Sequence, residues 1–186
     1  MNLFNIFKRK QKRRWLITGL GNPGIEYENT RHNAGFLFID SLSICGFKNK
    51  FNSYLAESEF SGAGVIFLKP QTFMNLSGIA VKSVFDYYKI QIGDFILIFD
   101  DIYLPLGKIK IKTSGSHGSH NGVKNVIDSI GTNKFKRIKI GVGAKPSGWD
   151  LKKWVTSRFS QEENVLLSSS FELALSSLSS LIVDRS

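Results

Sequence analysis

Runs of apolar residues separated by glycine- and proline-containing turns predict six β-strands. The run at residues 95–99 is continuously apolar, as expected of a strand that is buried on both faces. Residues 107–113 and 137–142 instead alternate apolar and polar positions, which predicts half-buried strands. The predicted strands cover residues 15–18, 54–60, 65–68, 95–99, 107–113 and 137–142.

Four segments with apolar residues at helical spacing lie between or after these strands. Asn29 or Thr30 can cap the first helix, and a Ser-x-x-Glu capping box at residues 160–163 precedes the last. The predicted helices begin near residues 30, 77, 120 and 161. Because strands alternate with helices, we predict a single α/β domain over residues 15–186, with a mixed, largely parallel twisted sheet sandwiched between helices.

The positive charge of the chain is concentrated near its start. Residues 1–14 contain six Lys or Arg and no acid, so they supply +6 of the formal net charge of +10. We predict that residues 1–14 form a basic, disordered N-terminal tail. Such a tail is either simply solvated or adds weak, salt-sensitive affinity for a polyanion.

Three further features bear on the cellular compartment. Cys45 is the one cysteine of the chain and follows an apolar helical pattern, so we expect a buried, reduced thiol. No apolar run approaches the roughly 18 residues that a membrane span needs. The apolar residues 3–7 precede the basic residues 8–14, which is the reverse of the order in a signal peptide. These features predict a cytoplasmic protein without a membrane partner.

A glycine-rich turn, G-L-G-N-P-G at residues 19–24, follows the first predicted strand. Its G-x-G-x-x-G spacing is also that of dinucleotide-binding turns. In those turns the third glycine lies inside the helix, whereas Pro23 and residues 25–29 delay the helix here. The acidic residue expected at a strand end about 20 positions later is also missing, since Asp40 lies within the helical pattern. The sequence therefore disfavours a dinucleotide site.

Polar side chains after the predicted strands indicate hydrolytic chemistry. The loops that follow strands contain Asn22, Asn75, Asp100 and Asn121, and open α/β sheets bind ligands at such loops. His32 opens the first helix and can turn into the same crevice. A His–Asp pair is the minimal base and orienting group for activating water, and amides can hydrogen-bond a developing oxyanion.

Other interpretations of these residues remain open. His32 can be a helix cap or surface residue, Asp100 can begin a turn, and Asn75 can serve helix entry. His117 and His120 can be a pair of metal ligands, although a glycine loop gives them no rigid frame. A basic α/β domain that binds RNA without turning it over is a further alternative.

Four segments, in their order and separations, resemble bacterial-type peptidyl-tRNA hydrolase. They are G-L-G-N-P-G-x-E-Y-x-x-T-R-H-N-A-G-F, K-P-x-T-F-M-N-L-S-G, D-D-x-x-L-P-L-G and G-S-H-N-G. The similarity runs from about Trp15 to Phe159. It implies a single α/β domain that cleaves the ester bond between a peptide and the 3′ end of tRNA. It also implies peptidyl-tRNA as the partner, no cofactor, no metal and a monomer.

The resemblance assigns roles to individual residues. His32 is implied to be the general base and Asp100 the carboxylate that orients it. Asn22 is implied to distinguish N-blocked from free aminoacyl-tRNA. The residues implied to contact the substrate are Tyr27, Phe73, Met74, Asn75, His120 and Asn121.

The implied tRNA contacts lie on two predicted strands. They are Lys110, Lys112, Arg137 and Lys139. Side chains two positions apart point the same way, so the four cations should form one patch if the strands are neighbours. The chain departs from the family pattern at Tyr103, Ser116 and Ser119. At position 139 a lysine replaces an arginine, which keeps the charge but loses the fork geometry.

Overall fold

Seven β-strands form one sheet within residues 13–183, the part of the chain that the computed structural model describes. The strands are β1 (Trp15–Gly19), β2 (Lys48–Lys50), β3 (Ser53–Phe60), β4 (Ala63–Pro70), β5 (Phe95–Asp101), β6 (Ile109–Lys112) and β7 (Lys136–Gly141). Their order is β2-β3-β4-β1-β5-β7-β6. The central strands β4, β1, β5 and β7 are parallel, and the outer strands pair antiparallel. The prediction of a mixed sheet is confirmed.

The place of each strand in the sheet follows from its sequence. β1 and β5 are buried along their whole lengths. A strand that is apolar on both faces must be covered on both, and a central position provides this. β2 and β6 carry lysines and lie at the two edges, where charged side chains disfavour pairing with another chain.

Helices cover both faces of the sheet. They are α1 (Ala34–Ser41), α2 (Ser77–Tyr88), α3 (Asn121–Ile130), α4 (Leu151–Val155) and α5 (Gln161–Val183). On one face, Phe38 of α1 and Leu178 of α5 pack in a cluster with the sheet. On the other face, Val84 of α2 and Val126 of α3 do the same. The predicted layering of one sheet between helices is therefore confirmed.

The helix α5 is long and apolar enough to cross a membrane by length and composition alone. The expectation that no apolar run approaches this length is wrong for α5, because its serines are too mildly polar to lower the mean hydropathy. Its buried positions are Leu167, Ser170, Ala174, Leu178 and Ile182. The apolar members of this stripe pack in the cluster on the sheet, so one face of α5 covers the sheet.

Two local predictions are wrong. Cys45 is exposed, because α1 ends at Ser41 and the cysteine lies in the following loop. The first helix begins at Ala34 rather than near Thr30, because one 3₁₀ turn, Arg31–Asn33, precedes it. This turn contains the predicted catalytic histidine.

The predicted N-terminal tail lies almost entirely outside the described residues, which begin at residue 13. Arg13 forms a hydrogen-bonded ion pair with Asp94, with Nε 2.7 Å from Oδ2. Arg14 pairs with Glu57. These two arginines attach the start of β1 to the domain.

Candidate active site

The loops at the carboxyl ends of β1 and β5 enclose a pocket of about 610 Å³. This is the edge at which open α/β sheets bind ligands. Most of the residues predicted for the site line this pocket, namely Asn22, Tyr27, His32, Phe73, Met74, Asn75, Asp100, His120, Asn121 and Lys139. Lys110, Lys112 and Arg137 lie outside it.

Two histidines share one carboxylate oxygen at the base of the pocket. Nδ1 of His32 and Nε2 of His120 each lie 2.9 Å from Oδ1 of Asp100. The Asp100 side chain is 2% exposed and that of His32 is 14% exposed. Because His32 uses Nδ1 to bind Asp100, its Nε2 remains for proton transfer with a molecule in the pocket.

The second contact of His120 defines its tautomer. The backbone N–H of Val123 donates to Nδ1 of His120 at 3.3 Å, so Nδ1 carries no proton and Nε2–H donates to Asp100. The same side chain thereby caps α3. Burial lowers the pKa of His120, and this outweighs the attraction of Asp100. His120 is therefore a neutral support for the carboxylate.

The pKa values of His32 and Asp100 are shifted in the directions that favour their charged forms. Burial lowers the pKa of His32, but the charge of Asp100 and their hydrogen bond outweigh it and hold that pKa above its ordinary value. Burial raises the pKa of Asp100, yet His32 and His120 bring it well below its usual range. Asp100 thus stays ionised, and His32 can gain a proton beside it.

Main-chain contact between α1 and the sheet holds the histidine turn in place. A Cβ atom at Gly35 would collide with the backbone of Leu20 and Ile98, and one at Gly19 would collide with the carbonyl of Gly35. Glycine at both positions permits this close approach. Gly35 lies three residues after His32, so the approach carries the imidazole over the end of β5.

Asn22 presents a defined end of its amide to the pocket. The backbone N–H of Met74 donates to Oδ1 of Asn22 at 2.7 Å. Asn33 exchanges two hydrogen bonds with the backbone of Asn22. A backbone N–H can only donate, so this contact fixes the orientation of the amide and leaves Nδ2 as a donor. Asn22 can therefore hydrogen-bond a carbonyl oxygen or an oxyanion.

Aromatic rings and amides form one wall of the pocket. Tyr27 and Phe73 meet edge-on with their ring centroids 6.3 Å apart, and Phe73 is 53% exposed. Asn75 lies in the 3₁₀ turn before α2, and Asn121 is the first residue of α3. An exposed ring can stack on a base, and amides can hydrogen-bond a peptide group.

Sequence reasoning missed another wall, which α4 and its flanking residues form. These residues are Asp150, Leu151, Lys152, Val155 and Thr156. Arg31 fastens this wall, since its guanidinium carbon lies 3.8 Å from the ring centroid of Trp154 and its Nη2 lies 2.8 Å from Glu163 of α5. The one local signal was Asp150, which caps α4 by accepting from the N–H of Lys153.

The predicted patch of four cations is only partly present. β6 and β7 are neighbours, with Lys110 opposite Lys139 and Lys112 opposite Arg137. Lys110 and Lys112 are exposed, whereas Nζ of Lys139 lies 2.8 Å from Oδ2 of Asp101. Including Arg137 in the patch is wrong, because this residue is only 1% exposed.

Arg137 is buried because its long side chain reaches main-chain acceptors. Its guanidinium donates to the carbonyl oxygens of Gly115, Ser116 and Asn133 at 2.5, 2.7 and 3.2 Å. Gly115 and Ser116 belong to the glycine-serine loop, residues 114–119, that leads to His120. Arg137 therefore holds this loop rather than facing solvent.

The sequence left His117 and His120 open as a pair of metal ligands, but the fold brings His120 close to His32 instead. Among the described residues, ligand atoms of His32, Asp100 and His120 lie within 4.8 Å of one another. His117 lines the pocket but lies outside this group. Both imidazoles hydrogen-bond the single oxygen Oδ1 of Asp100, an arrangement that suits proton transfer.

The fold and the pocket together define the class. A buried carboxylate that orients an imidazole, at the carboxyl ends of parallel strands in a mixed sheet between helices, is typical of a hydrolytic enzyme. Comparison with known proteins gives the family. Residues 16–185 match the family described as Peptidyl-tRNA hydrolase, and the chain belongs to this family.

Similar proteins cover nearly the whole chain. Peptidyl-tRNA hydrolase of Lachnospira eligens is 45% identical over 174 residues, which are 91% of this chain and 94% of the relative. That of Thermotoga maritima is 43% identical over 171 residues, 91% of each chain. The crystal structure of a mutant peptidyl-tRNA hydrolase from Acinetobacter baumannii matches with a TM-score of 0.86 at 34% identity, covering 94% of this chain and 91% of that one.

Proposed function

We propose that the chain cleaves the ester bond of peptidyl-tRNA with a water molecule that His32 activates. The observation that carries the proposal is the 2.9 Å hydrogen bond between Nδ1 of His32 and the buried Asp100, within the pocket. It holds the imidazole in one orientation and leaves Nε2 to act as the base. Family membership supports the choice of substrate.

In the proposed reaction, Nε2 of His32 takes a proton from water, and the water oxygen bonds to the ester carbonyl carbon. The bond from that carbon to the 3′ oxygen of tRNA then breaks, and His32 returns the proton to this oxygen. The products are a peptide with a free carboxyl group and tRNA with its 3′ hydroxyl. Nδ2 of Asn22 donates to the oxyanion or to the neighbouring peptide carbonyl.

The remaining pocket residues bind the two halves of the substrate. We propose that the ring of Phe73 stacks on the terminal base and that Asn75 and Asn121 bind the peptide. Lys110 and Lys112 contact phosphates of the tRNA body. We propose a monomer as the active unit, working in the cytoplasm where translation supplies its substrate.

His32→Ala tests the proposal. Turnover of N-acetylated aminoacyl-tRNA should fall by about 10²–10⁴-fold, as is typical when a general base is removed. His117→Ala is the matched control, because His117 lines the same pocket without contacting Asp100. Near-normal turnover by a folded His32→Ala protein would falsify the mechanism, and RNA binding without turnover in the unaltered chain would favour a binding module.

A further inference from the structure

The loop that joins β5 to β6, residues 102–108, places an exposed aromatic ring at the mouth of the catalytic pocket. Tyr103 lines this pocket, yet it is 77% exposed. Within residues 13–183, its hydroxyl forms no hydrogen bond and its ring contacts no other aromatic ring. Packing inside the domain therefore does not account for a large ring at this position, which is also one at which the chain departs from the family pattern.

The backbone beneath the ring is held on both sides. The N–H of Tyr103 donates to Oδ1 of Asp101 at 2.8 Å, and Oδ2 of the same carboxylate lies 2.8 Å from Nζ of Lys139. The next residue, Leu104, accepts from the N–H of Gly143 at 3.1 Å. These contacts tie the loop to the end of β7. A ring on such a loop loses little freedom when a ligand stacks on it.

The strand order defines where the ring lies relative to the rest of the site. Phe73 follows β4 and His32 follows β1, whereas Tyr103 follows β5. Because the order is β4-β1-β5-β7-β6, the two exposed rings lie on opposite sides of His32. Tyr103 is on the side of β6, whose exposed cations are Lys110 and Lys112.

A tRNA substrate has to pass this ring. Its ester is at the 3′ end of the unpaired C-C-A segment, and its phosphates continue toward the tRNA body. With the ester at His32 and the body at Lys110 and Lys112, the unpaired nucleotides between them cross the end of β5. An unpaired base exposes a π-face, on which an aromatic side chain can stack.

We propose that Tyr103 stacks on the base of the penultimate nucleotide of the tRNA, while Phe73 takes the terminal base. This inference rests on the proposed function, because it assumes that the ester lies at His32. Tyr103 thereby extends recognition from one nucleotide to two. Substrates that carry a single nucleoside on the ester lack this contact.

The contact can be measured with analogues that are not cleaved. In these probes an amide replaces the ester and joins an N-acetylated amino acid to adenosine or to the dinucleotide C-A. The second nucleotide should lower the Kd for the unaltered chain by about tenfold, as is typical of one base stacked on an aromatic ring. Titration calorimetry gives both constants.

Three variants separate the ring from its surroundings. Tyr103→Ala should lose most of the gain from the second nucleotide, whereas Tyr103→Phe should keep it, because stacking needs the ring and not the hydroxyl. Tyr87→Ala is the matched control, since Tyr87 is also exposed, at 56%, but lies on α2 outside the pocket. Its gain should equal that of the unaltered chain.

A dinucleotide analogue without the penultimate base tests the base itself. It keeps the phosphate that Lys139 can reach, so any gain that remains comes from charge. This analogue should bind Tyr103→Ala and the unaltered chain with the same Kd. With N-acetylated aminoacyl-tRNA, the loss in Tyr103→Ala should appear as a rise in KM rather than as a fall in kcat.

Four results would overturn the proposal. They are a second nucleotide that adds nothing in the unaltered chain, an equal gain in Tyr103→Ala, a loss in Tyr103→Phe as large as in Tyr103→Ala, and a difference between the two chains that persists without the base. These constants are measured without cleavage. An unaltered chain that binds the analogues but does not cleave the ester would therefore contradict the proposed function and leave the stacking contact established.

Discussion

One oxygen of Asp100 binds two imidazoles, and the two respond to it in opposite ways. His120 commits its second nitrogen to the N–H of Val123, and burial lowers its pKa. His32 keeps its second nitrogen free of the carboxylate, and the attraction of Asp100 outweighs burial and raises its pKa. The carboxylate therefore has one neutral support and one partner that can take up a proton.

Asp100→Asn should move the acid limb of the pH profile to lower pH. His32 must be unprotonated to act as a base, so kcat/KM falls as the pH drops below its pKa. Without the charge of Asp100, burial lowers this pKa instead of being outweighed. Turnover at neutral pH should also fall, though less than in His32→Ala, because the imidazole loses its orientation.

The measurement is kcat/KM for N-acetylated aminoacyl-tRNA from about pH 5 to pH 9, the range in which imidazoles titrate. Asp101→Asn is the control, because Asp101 is the adjacent carboxylate and pairs with Lys139 rather than His32. An acid limb at the same pH in Asp100→Asn and the unaltered chain would contradict the proposed base.

Asn22→Ala should narrow the preference for N-blocked over free substrate. The free form carries an ammonium where the blocked form has a neutral amide. Because Oδ1 of Asn22 accepts from the N–H of Met74, the amide is oriented so that Nδ2 offers its N–H donors to the pocket, and these suit a carbonyl group. A site built to hydrogen-bond one group discriminates against a substrate that lacks it.

The measurement is the ratio of kcat/KM for the two substrates. Asn49→Ala is the control, because Asn49 is an exposed asparagine on the edge strand β2. If the ratio stays the same in Asn22→Ala, the discrimination lies elsewhere, with Asn75 the next candidate.

Dialysis of the protein against a chelator should leave the rate of hydrolysis of N-acetylated aminoacyl-tRNA unchanged. The three groups that could hold a metal, His32, Asp100 and His120, are those already joined by two 2.9 Å hydrogen bonds. A bound cation would compete with the proton that His32 must accept, so added Zn²⁺ should inhibit. Activity that is lost on dialysis and restored by zinc would instead assign these residues as metal ligands.

At the scale of elements, the cations of β6 are exposed, whereas Arg137 of β7 is buried. The lysines of β6, Lys110 and Lys112, are exposed at the edge of the sheet, where a polyanion can reach them. Arg137 of β7 is turned inward to the loop that leads to His120. Neighbouring strands thus provide exposed cations at the edge of the sheet and an anchor for the loop that leads to His120.

Lys110→Gln with Lys112→Gln should weaken binding of the tRNA substrate. The slope of log KM against log salt concentration should decrease by up to about two units, roughly one for each lost phosphate contact. Hydrolysis of a minimal peptide ester should be unaffected, since neither lysine lines the pocket. Lys82→Gln with Lys124→Gln, exposed lysines on α2 and α3, is the charge-matched control. Equal slopes in both double variants would remove β6 from the tRNA surface.

Strands and long helices could be predicted because each carries its own pattern. The alternation at residues 107–113 and the apolar run at 95–99 correspond to the observed strands β6 and β5. By contrast, α4 has five residues and is held by contacts from Arg31, which lies more than a hundred positions away. The strand β2, with the polar sequence K-N-K, exists only through its pairing with β3. Such elements have no local signal.

The site was predictable to the same degree. Motifs and strand ends identify His32 and Asp100 as neighbours of the pocket, because strand polarity alone determines which loops meet. The hydrogen bond of His120 to the same oxygen of Asp100 depends on the path of the glycine-serine loop, which the sequence does not indicate. The burial of Arg137 was missed because alternation gives the face of a strand but not the path of a long side chain.

At the scale of the whole molecule, the pocket and the first described residues lie at opposite ends of β1. The pocket follows Gly19, whereas Arg13 and Arg14 attach the other end to Asp94 and Glu57. The five residues of β1 separate them by about 16 Å. The attachment of β1 by these two arginines is therefore separate from the pocket.

The contact between Gly19 and Gly35 has a consequence for how the chain can diverge. Main-chain atoms of α1, β1 and β5 touch there, so the spacing between the base and its carboxylate is set by atoms that every amino acid possesses. Exchanges among the apolar side chains can accumulate in both clusters without moving this junction. A solved structure that is only 34% identical keeps the fold at a TM-score of 0.86. Gly19 and Gly35, in contrast, must remain glycine, because a Cβ at either position would collide with the main chain.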